Sequence, residues 1–286
     1  HRLALSKGAA MTEREEWLDW RRKGIGSSDA PAIMTGAWVW RAWLSKIGQD
    51  DGADNNAMRR GRYLERGVGK WAADELGVTL QDAEQIVHKT NPILRCTPDF
   101  IMVTPDGFRV GLEIKTYRTN DGWGIEGTDQ IPEKVRHQVD WQMAVCGADR
   151  WCVAVYLTIS EKFMLYNIRR DPVRERTLID RCMEWWTDHV INKIPPTLDD
   201  SDQCRIWLNE QTANESIVMR IATDEEADLA TLYGEVCDLA KQYTSEKKRM
   251  ANVIRETIGT DRGFTGGGWR LTKSKTGRIN HKRGSK

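Results

Sequence analysis

The chain lacks the residue spacings that hold zinc or iron. Its six cysteines (Cys96, Cys146, Cys152, Cys182, Cys204 and Cys237) form no C-x-x-C pair, and its five histidines offer no pair at zinc-finger spacing. A zinc finger needs ligands grouped closely along the chain, and an iron–sulfur cluster needs several neighbouring thiolates. Reduced, mostly buried thiols in a cytosolic protein are the simpler expectation. No apolar run is long enough to cross a bilayer, and the first residues lack the charged-then-apolar layout of a secretory signal. Nor is there an overall charge of one sign. Lys and Arg number 43 against 42 Asp and Glu, for a net charge of +1, so the whole chain exerts no general pull on polyanions.

What is present is the composition of a globular protein with a true core, 40% hydrophobic and 30% charged over 286 residues. That length suits one large domain or one domain with a small appendage. Residues 1–12 read as a lead without a fold of its own, residues 13–198 as the main domain, and residues 199–286 as a helical extension. Residues 13–23 read as a helix, with Thr12 and Glu15 at the spacing of a capping box. Gly24-Ile25-Gly26 breaks it, and Ser27-Ser28-Asp29 opens a second. An amphipathic segment, 38–47, ends at Gly48. A polar loop over 50–56 precedes a strong helix over 57–76 that stops at Gly77. Trp38, Trp40 and Trp43 read as core packing, with a wedge at a DNA end as the alternative.

The middle of the chain changes period. Phe100-Ile101-Met102-Val103, the turn Pro105-Asp106-Gly107 and a second β-rich run over 108–116 are a hairpin pattern. Residues 132–146 follow as a helix, 151–159 and 163–169 as strands, and 173–192 as a helix closed by Pro195-Pro196. The class is α/β, with at least some strands antiparallel. Within the hairpin, alternation puts Glu113 and Lys115 on one face and Leu112 and Ile114 on the other. The turn brings Asp99 back toward Glu113. Two carboxylates and one ammonium at one end of a sheet suit phosphodiester hydrolysis. Hard oxygen ligands hold Mg²⁺, the ion neutralises charge developing on the phosphate, and a lysine stabilises the attacking hydroxide. A solvated salt bridge on a surface hairpin is the bland alternative.

Four blocks in order narrow the choice. They are Trp17-Leu18-Asp19-Trp20-Arg21-Arg22-Lys23-Gly24-Ile25-Gly26-Ser27-Ser28-Asp29, then Met58-Arg59-Arg60-Gly61-Arg62-Tyr63-Leu64-Glu65, then Pro98-Asp99 with Glu113-Ile114-Lys115, and last His137-Gln138-Val139-Asp140-Trp141-Gln142-Met143. Together they resemble the lambda-exonuclease and YqaJ-type viral recombinase branch of the PD-(D/E)XK nucleases. The resemblance spans roughly residues 17–196. It implies a restriction-endonuclease-like core with a mixed central sheet flanked by helices. It also implies that Asp99, Glu113, the Ile114 carbonyl and Glu65 bind the metal, that Lys115 is the catalytic lysine, and that Gln138 positions water or phosphate. Arg22 and Ser28 match positions that hold a terminal 5′-phosphate, where a guanidinium fork and a helix N-terminus suit an anion. Arg21 competes with Arg22 for that role, and Gln142 with Gln138.

The activity so implied is Mg²⁺-dependent 5′→3′ digestion of one strand of linear duplex DNA, with Mn²⁺ as a possible substitute. The setting is phage or prophage recombination in the bacterial cytoplasm, beside a single-strand annealing protein, in a homo-oligomer expected to be a trimeric ring around DNA. The rivals are a structure-specific or nicking endonuclease and a DNA-binding assembly module with a vestigial site. Beyond residue 198, Thr223-Asp224-Glu225-Glu226 is a capping box. A long helix follows, with apolar residues near heptad spacing from Leu232 to Val253 and a length of roughly 50 Å. Gly266-Gly267-Gly268 reads as a hinge before a small basic hairpin. Residues 270–286 hold seven Lys or Arg and no acid. Arg270, Lys273, Lys275, Arg278, Lys282 and Arg283 are therefore candidate phosphate contacts.

Overall fold

A computed structural model describes residues 12–49, 55–212 and 220–283. The lead expected over 1–12 lies outside the described residues except for Thr12, as does most of the loop expected over 50–56. The chain forms two compact units, residues 1–213 and 214–286.

The first unit begins with α1 (Glu13–Arg22), α2 (Asp29–Thr35), α3 (Val39–Ile47) and α4 (Asn56–Leu76). Thr12 caps α1 as expected: its hydroxyl accepts from the Glu15 amide, and the Glu15 carboxylate accepts from the Thr12 amide at 2.7 Å. Strands β1 (Thr79–Asp82), β2 (Ile86–Val87), β3 (Arg95–Cys96), β4 (Phe100–Val103) and β5 (Arg109–Tyr117) follow, then α5 (Glu133–Cys146), β6 (Arg150–Leu157), β7 (Lys162–Arg169) and α6 (Pro172–Trp185). The central sheet has the order β1-β4-β5-β6-β7. Its pairs are antiparallel except β5 with β6, which run parallel because α5 crosses between them. The sheet is therefore mixed. Helix α4 packs on one face, over Phe100, Leu112 and Ile114. Helix α5 packs on the other, over Val153 and Val155.

Trp40 and Trp43 are core residues, 0% and 3% exposed, but Trp38 is 52% exposed. It sits in the left-handed region at φ 70°, just before α3. The Trp43 indole donates to the His189 carbonyl at 2.8 Å. That takes a carbonyl from the end of α6, where Trp186–Ile191 winds as a π-helix. Helix α7 (Asp202–Gln211) belongs to the first unit, although the extension was expected to begin at 199. It is held there by buried Cys204 and by Trp207, which packs 5.3 Å from Trp40.

The second unit consists of α8 (Asp224–Ile258), β8 (Gly263–Gly266), β9 (Trp269–Lys273) and β10 (Ile279–Arg283). Thr223 and Glu226 form the expected capping box. The expected basic hairpin is present as β9 and β10, and β8 adds a third strand, giving the order β10-β9-β8. The glycine triplet is a tight turn rather than a hinge. Gly266 pairs with Trp269, and Gly267 and Gly268 take φ values of 57° and 78°. Two consecutive positive φ angles make the two-residue turn that a twisted hairpin requires. The sheet closes against the end of α8, where Ile258 is buried and the Arg255 guanidinium donates to the Gly277 carbonyl at 2.7 Å.

Candidate active site

The register Phe100↔Leu112 places Asp99, just before β4, beside Glu113 on β5. The Ile114 amide donates to Asp99 Oδ2 at 2.7 Å. Glu113 is 2% exposed, and donors surround it. Lys115 Nζ and Gln138 Nε2 reach Oε1 at 2.6 and 2.5 Å, and Gln142 Nε2 reaches Oε2 at 2.7 Å. Gln138 Oε1 also accepts from Lys115 Nζ at 2.8 Å. The two glutamines, four residues apart on α5, thus share one helix face and grip both oxygens of a single carboxylate. Both competing candidates on α5 are brought to the site.

Two contacts fix the pose of α5. The Trp141 indole donates to the Arg95 carbonyl on β3 at 2.9 Å. Buried Asp140 takes Arg136 at 2.8 Å and Arg174 of α6 at 3.0 Å. On the opposite face α4 lies flat because residue 69 has no side chain: a Cβ there would stand 2.8 Å from the Phe100 ring. Glu65 on this helix is close enough to feel the charges of Glu113 and Lys115.

The electrostatics show crowding of like charge. Burial, then the charges of Glu113 and Glu65, push the Asp99 carboxyl well above the ordinary carboxylate value, against the pull of Lys115. Burial and Glu113 likewise raise Glu65. For Lys115, burial favours the neutral amine, but Glu113 and Asp99 outweigh it and hold the ammonium above its usual value.

Among the described residues, no group of three or more His, Cys, Asp or Glu is placed to cage a metal by itself. The donor set still suits a hard divalent cation in kind. Asp99, Glu113 and Glu65 are oxygen donors whose shared neighbourhood holds more negative charge than Lys115 offsets. Mg²⁺ characteristically takes one or two carboxylates and completes its shell with water and phosphate oxygens.

At the positions expected to hold a 5′-phosphate, it is Arg21 that bonds Ser28. Arg21 Nη2 donates to Ser28 Oγ at 3.1 Å and to Asp29 Oδ1 at 3.0 Å. A cleft of about 160 Å³ is lined by Arg21 and Ser28, by Thr97 and by Gln138, which also bonds Glu113. Arg22, one residue and about 100° further round α1, is exposed and lines a wider groove of about 510 Å³, which Arg21 and Ser28 also line together with Arg41, Arg62 and Lys134. The Ser28 side chain does not cap α2. Asp29, the next residue, takes the Gly26 amide at 2.8 Å and fully buried Lys46 at 2.5 Å. This buried ion pair, spanning 17 residues, has no local pattern that announces it. The six basic residues from Arg270 to Arg283 lie on β9, β10 and the turn between them, in the second unit.

The mixed sheet, with paired carboxylates and a lysine at the β4–β5 hairpin and helices on both faces, defines a PD-(D/E)XK-type α/β core. Crystal structures of LHK-Exo, an alkaline exonuclease from Laribacter hongkongensis, share this fold. The form complexed with dAMP aligns with a TM-score of 0.52 and 19% identity over 70% of this chain and 98% of its own. A second form aligns at 0.51 and 18% over the same shares. Residues 16–149 match the YqaJ-like viral recombinase domain, so that stretch is similar to this family. The uncharacterized protein YqaJ of Bacillus subtilis (strain 168) is 27% identical over 277 residues, which are 92% of this chain and 83% of that protein.

Proposed function

We propose that the chain is a divalent-metal-dependent exonuclease, with Mg²⁺ as its ion, that digests one strand of linear duplex DNA from the 5′ end during recombination. The observation that carries this reading is the Glu113 cluster. Asp99, Lys115, Gln138 and Gln142 converge on or beside one buried carboxylate, with Glu65 in electrostatic reach. The alkaline exonuclease activity named for LHK-Exo and the recombinase name of the family support it.

Asp99, Glu113, the Ile114 carbonyl and Glu65 would hold the cation. When bound, it supplies positive charge to the phosphate oxygens and a more acidic water. The protein's own groups do the rest. Lys115, kept charged by its two carboxylates, stabilises developing hydroxide. Gln138, bonded to both Lys115 and Glu113, fixes the direction from which the water approaches. Arg21 and Ser28, in the cleft that Gln138 also lines, receive the terminal 5′-phosphate. A ring-shaped homo-oligomer, a single-strand annealing partner and a bacterial cytoplasmic setting belong to the same reading.

Linear duplexes labelled at the 5′ or the 3′ end, digested with and without Mg²⁺, test it. The expected result is metal-dependent release of 5′ label, with closed circular DNA intact. Cutting of closed circles favours an endonuclease, and absence of any metal-dependent cleavage leaves only DNA binding.

A further inference from the structure

Helix α8 carries a stripe that nothing in its own unit covers. The small sheet engages only its last turns, through Arg255 and Ile258. Along the preceding turns, Leu229, Leu232, Val236, Leu239 and Tyr243 are each at least 50% exposed, and Met250 and Val253 are each 43% exposed. These residues recur at alternating steps of three and four, the a and d positions of a heptad pattern, with Glu246 as the one polar interruption. A stripe of this length has to be buried against something.

The charges along the same helix identify the occupant. Residues 224–240 contain six acids and no base, whereas residues 241–258 contain five bases and two acids. The change of sign falls at the helix midpoint. The geometry points to a second copy of this chain, with the two α8 helices packed antiparallel along the full stripe. In that arrangement each acidic half lies on a basic half. A two-fold axis at Lys241 sets Leu229 opposite Val253, Leu232 opposite Met250, Val236 opposite Glu246, and Leu239 opposite Tyr243. Every pair joins an a position to a d position, as antiparallel knobs-into-holes packing requires. A parallel pair would stack acid on acid and base on base. The contact from Leu229 to Val253 would be about 36 Å long and ~10 Å wide on each copy, on the order of 700 Å² in total, the size of a reversible association.

The same register brings Glu235 of one copy beside Arg249 of the other, twice. The test uses the full chain in sedimentation velocity. Leu232→Asp combined with Leu239→Asp, both exposed positions, should halve the mass of the assembly while circular dichroism stays unchanged. Glu235→Lys alone and Arg249→Glu alone should each weaken self-association by about tenfold. An equimolar mixture of these two variants should restore it, since each copy then meets its complement. That restoration also shows that both variants fold. A mass unaltered by the stripe substitutions overturns the proposal, and so does a mixture that associates no better than either variant alone.

Discussion

The two units handle charge and apolar surface in opposite ways. The first buries charge: Glu113, Asp29, Lys46 and Asp140 are all under 7% exposed, and each is held by a hydrogen-bonding partner. The second leaves apolar surface out: Leu229 is 67% and Tyr233 71% exposed on α8. Buried charge costs desolvation and is retained where position matters more than stability. Exposed apolar surface is retained where a partner is due. The proposed chemistry therefore belongs to the first unit and the proposed association to the second.

The contrast is broken most severely by altering the buried carboxylate. Glu113→Gln keeps the volume but removes the charge, and release of acid-soluble nucleotides should fall ~10³-fold or more, about 4 kcal/mol. Activity within tenfold of wild type would remove Glu113 from the chemistry. Alanine is the poorer test, because it leaves Lys115, Gln138 and Gln142 without the side chain they share.

Asp29→Asn probes burial of charge without touching the carboxylates. Burial pushes the Asp29 carboxyl up, but Lys46, Arg21 and the Gly26 amide more than reverse this, and the group lies below the usual carboxylate range. Its stabilisation is therefore complete above the unfolded value of about 3.9 and is lost as pH falls through the lower folded value. Breaking the pair should cost about 3 kcal/mol at pH 7 in urea denaturation, and the gap from wild type should narrow below about pH 4. An equal gap at both pH values would show that Asp29 acts by packing alone.

Arg21→Ala should reduce the preference for 5′-phosphorylated over 5′-hydroxyl ends by about thirtyfold, some 2 kcal/mol, whereas Arg22→Ala should change it little. The reverse pattern restores the role to Arg22. The smallest effect is expected in the second unit. Because the basic residues sit on paired strands, neutralisation is a cleaner change than deletion. Lys282→Gln with Arg283→Gln should flatten the salt slope of DNA binding by ~0.9 for each phosphate no longer neutralised, with turnover on saturating DNA unchanged. An unaltered slope would take this sheet out of DNA binding.

Much of the site was legible because a hairpin obeys a period of two. Asp99, Glu113 and Lys115 follow from alternation and one turn. The i, i+4 spacing of Gln138 and Gln142 marked a face but gave no means of choosing between them, and both reach Glu113. Arg21 and Arg22 are adjacent, so only the rotation of α1 against α2 decides which faces Ser28. The Asp29–Lys46 pair depends on how α3 lies against the following turn, which no short window contains. Strands β1 and β3 carry Thr-Leu-Gln-Asp and Arg-Cys, too short and too polar to stand out before pairing makes them strands. The glycine triplet was a hinge by composition and a turn by pairing, since the pairing of β8 with β9 on either side of it fixes the turn.

The place of β5 in its sheet bears on time as well as space. With β4 on one side and β6 on the other, its amides meet solvent only after a neighbour has peeled away. The edge strands β1 and β7 can fray and close again while β5 stays paired. Hydrogen exchange at Glu113 and Lys115 should accordingly track the opening of the whole first unit, far slower than at β1. Brief openings at the edges therefore pass without β5 losing its register, and the candidate site stays assembled for nearly as long as the first unit is folded.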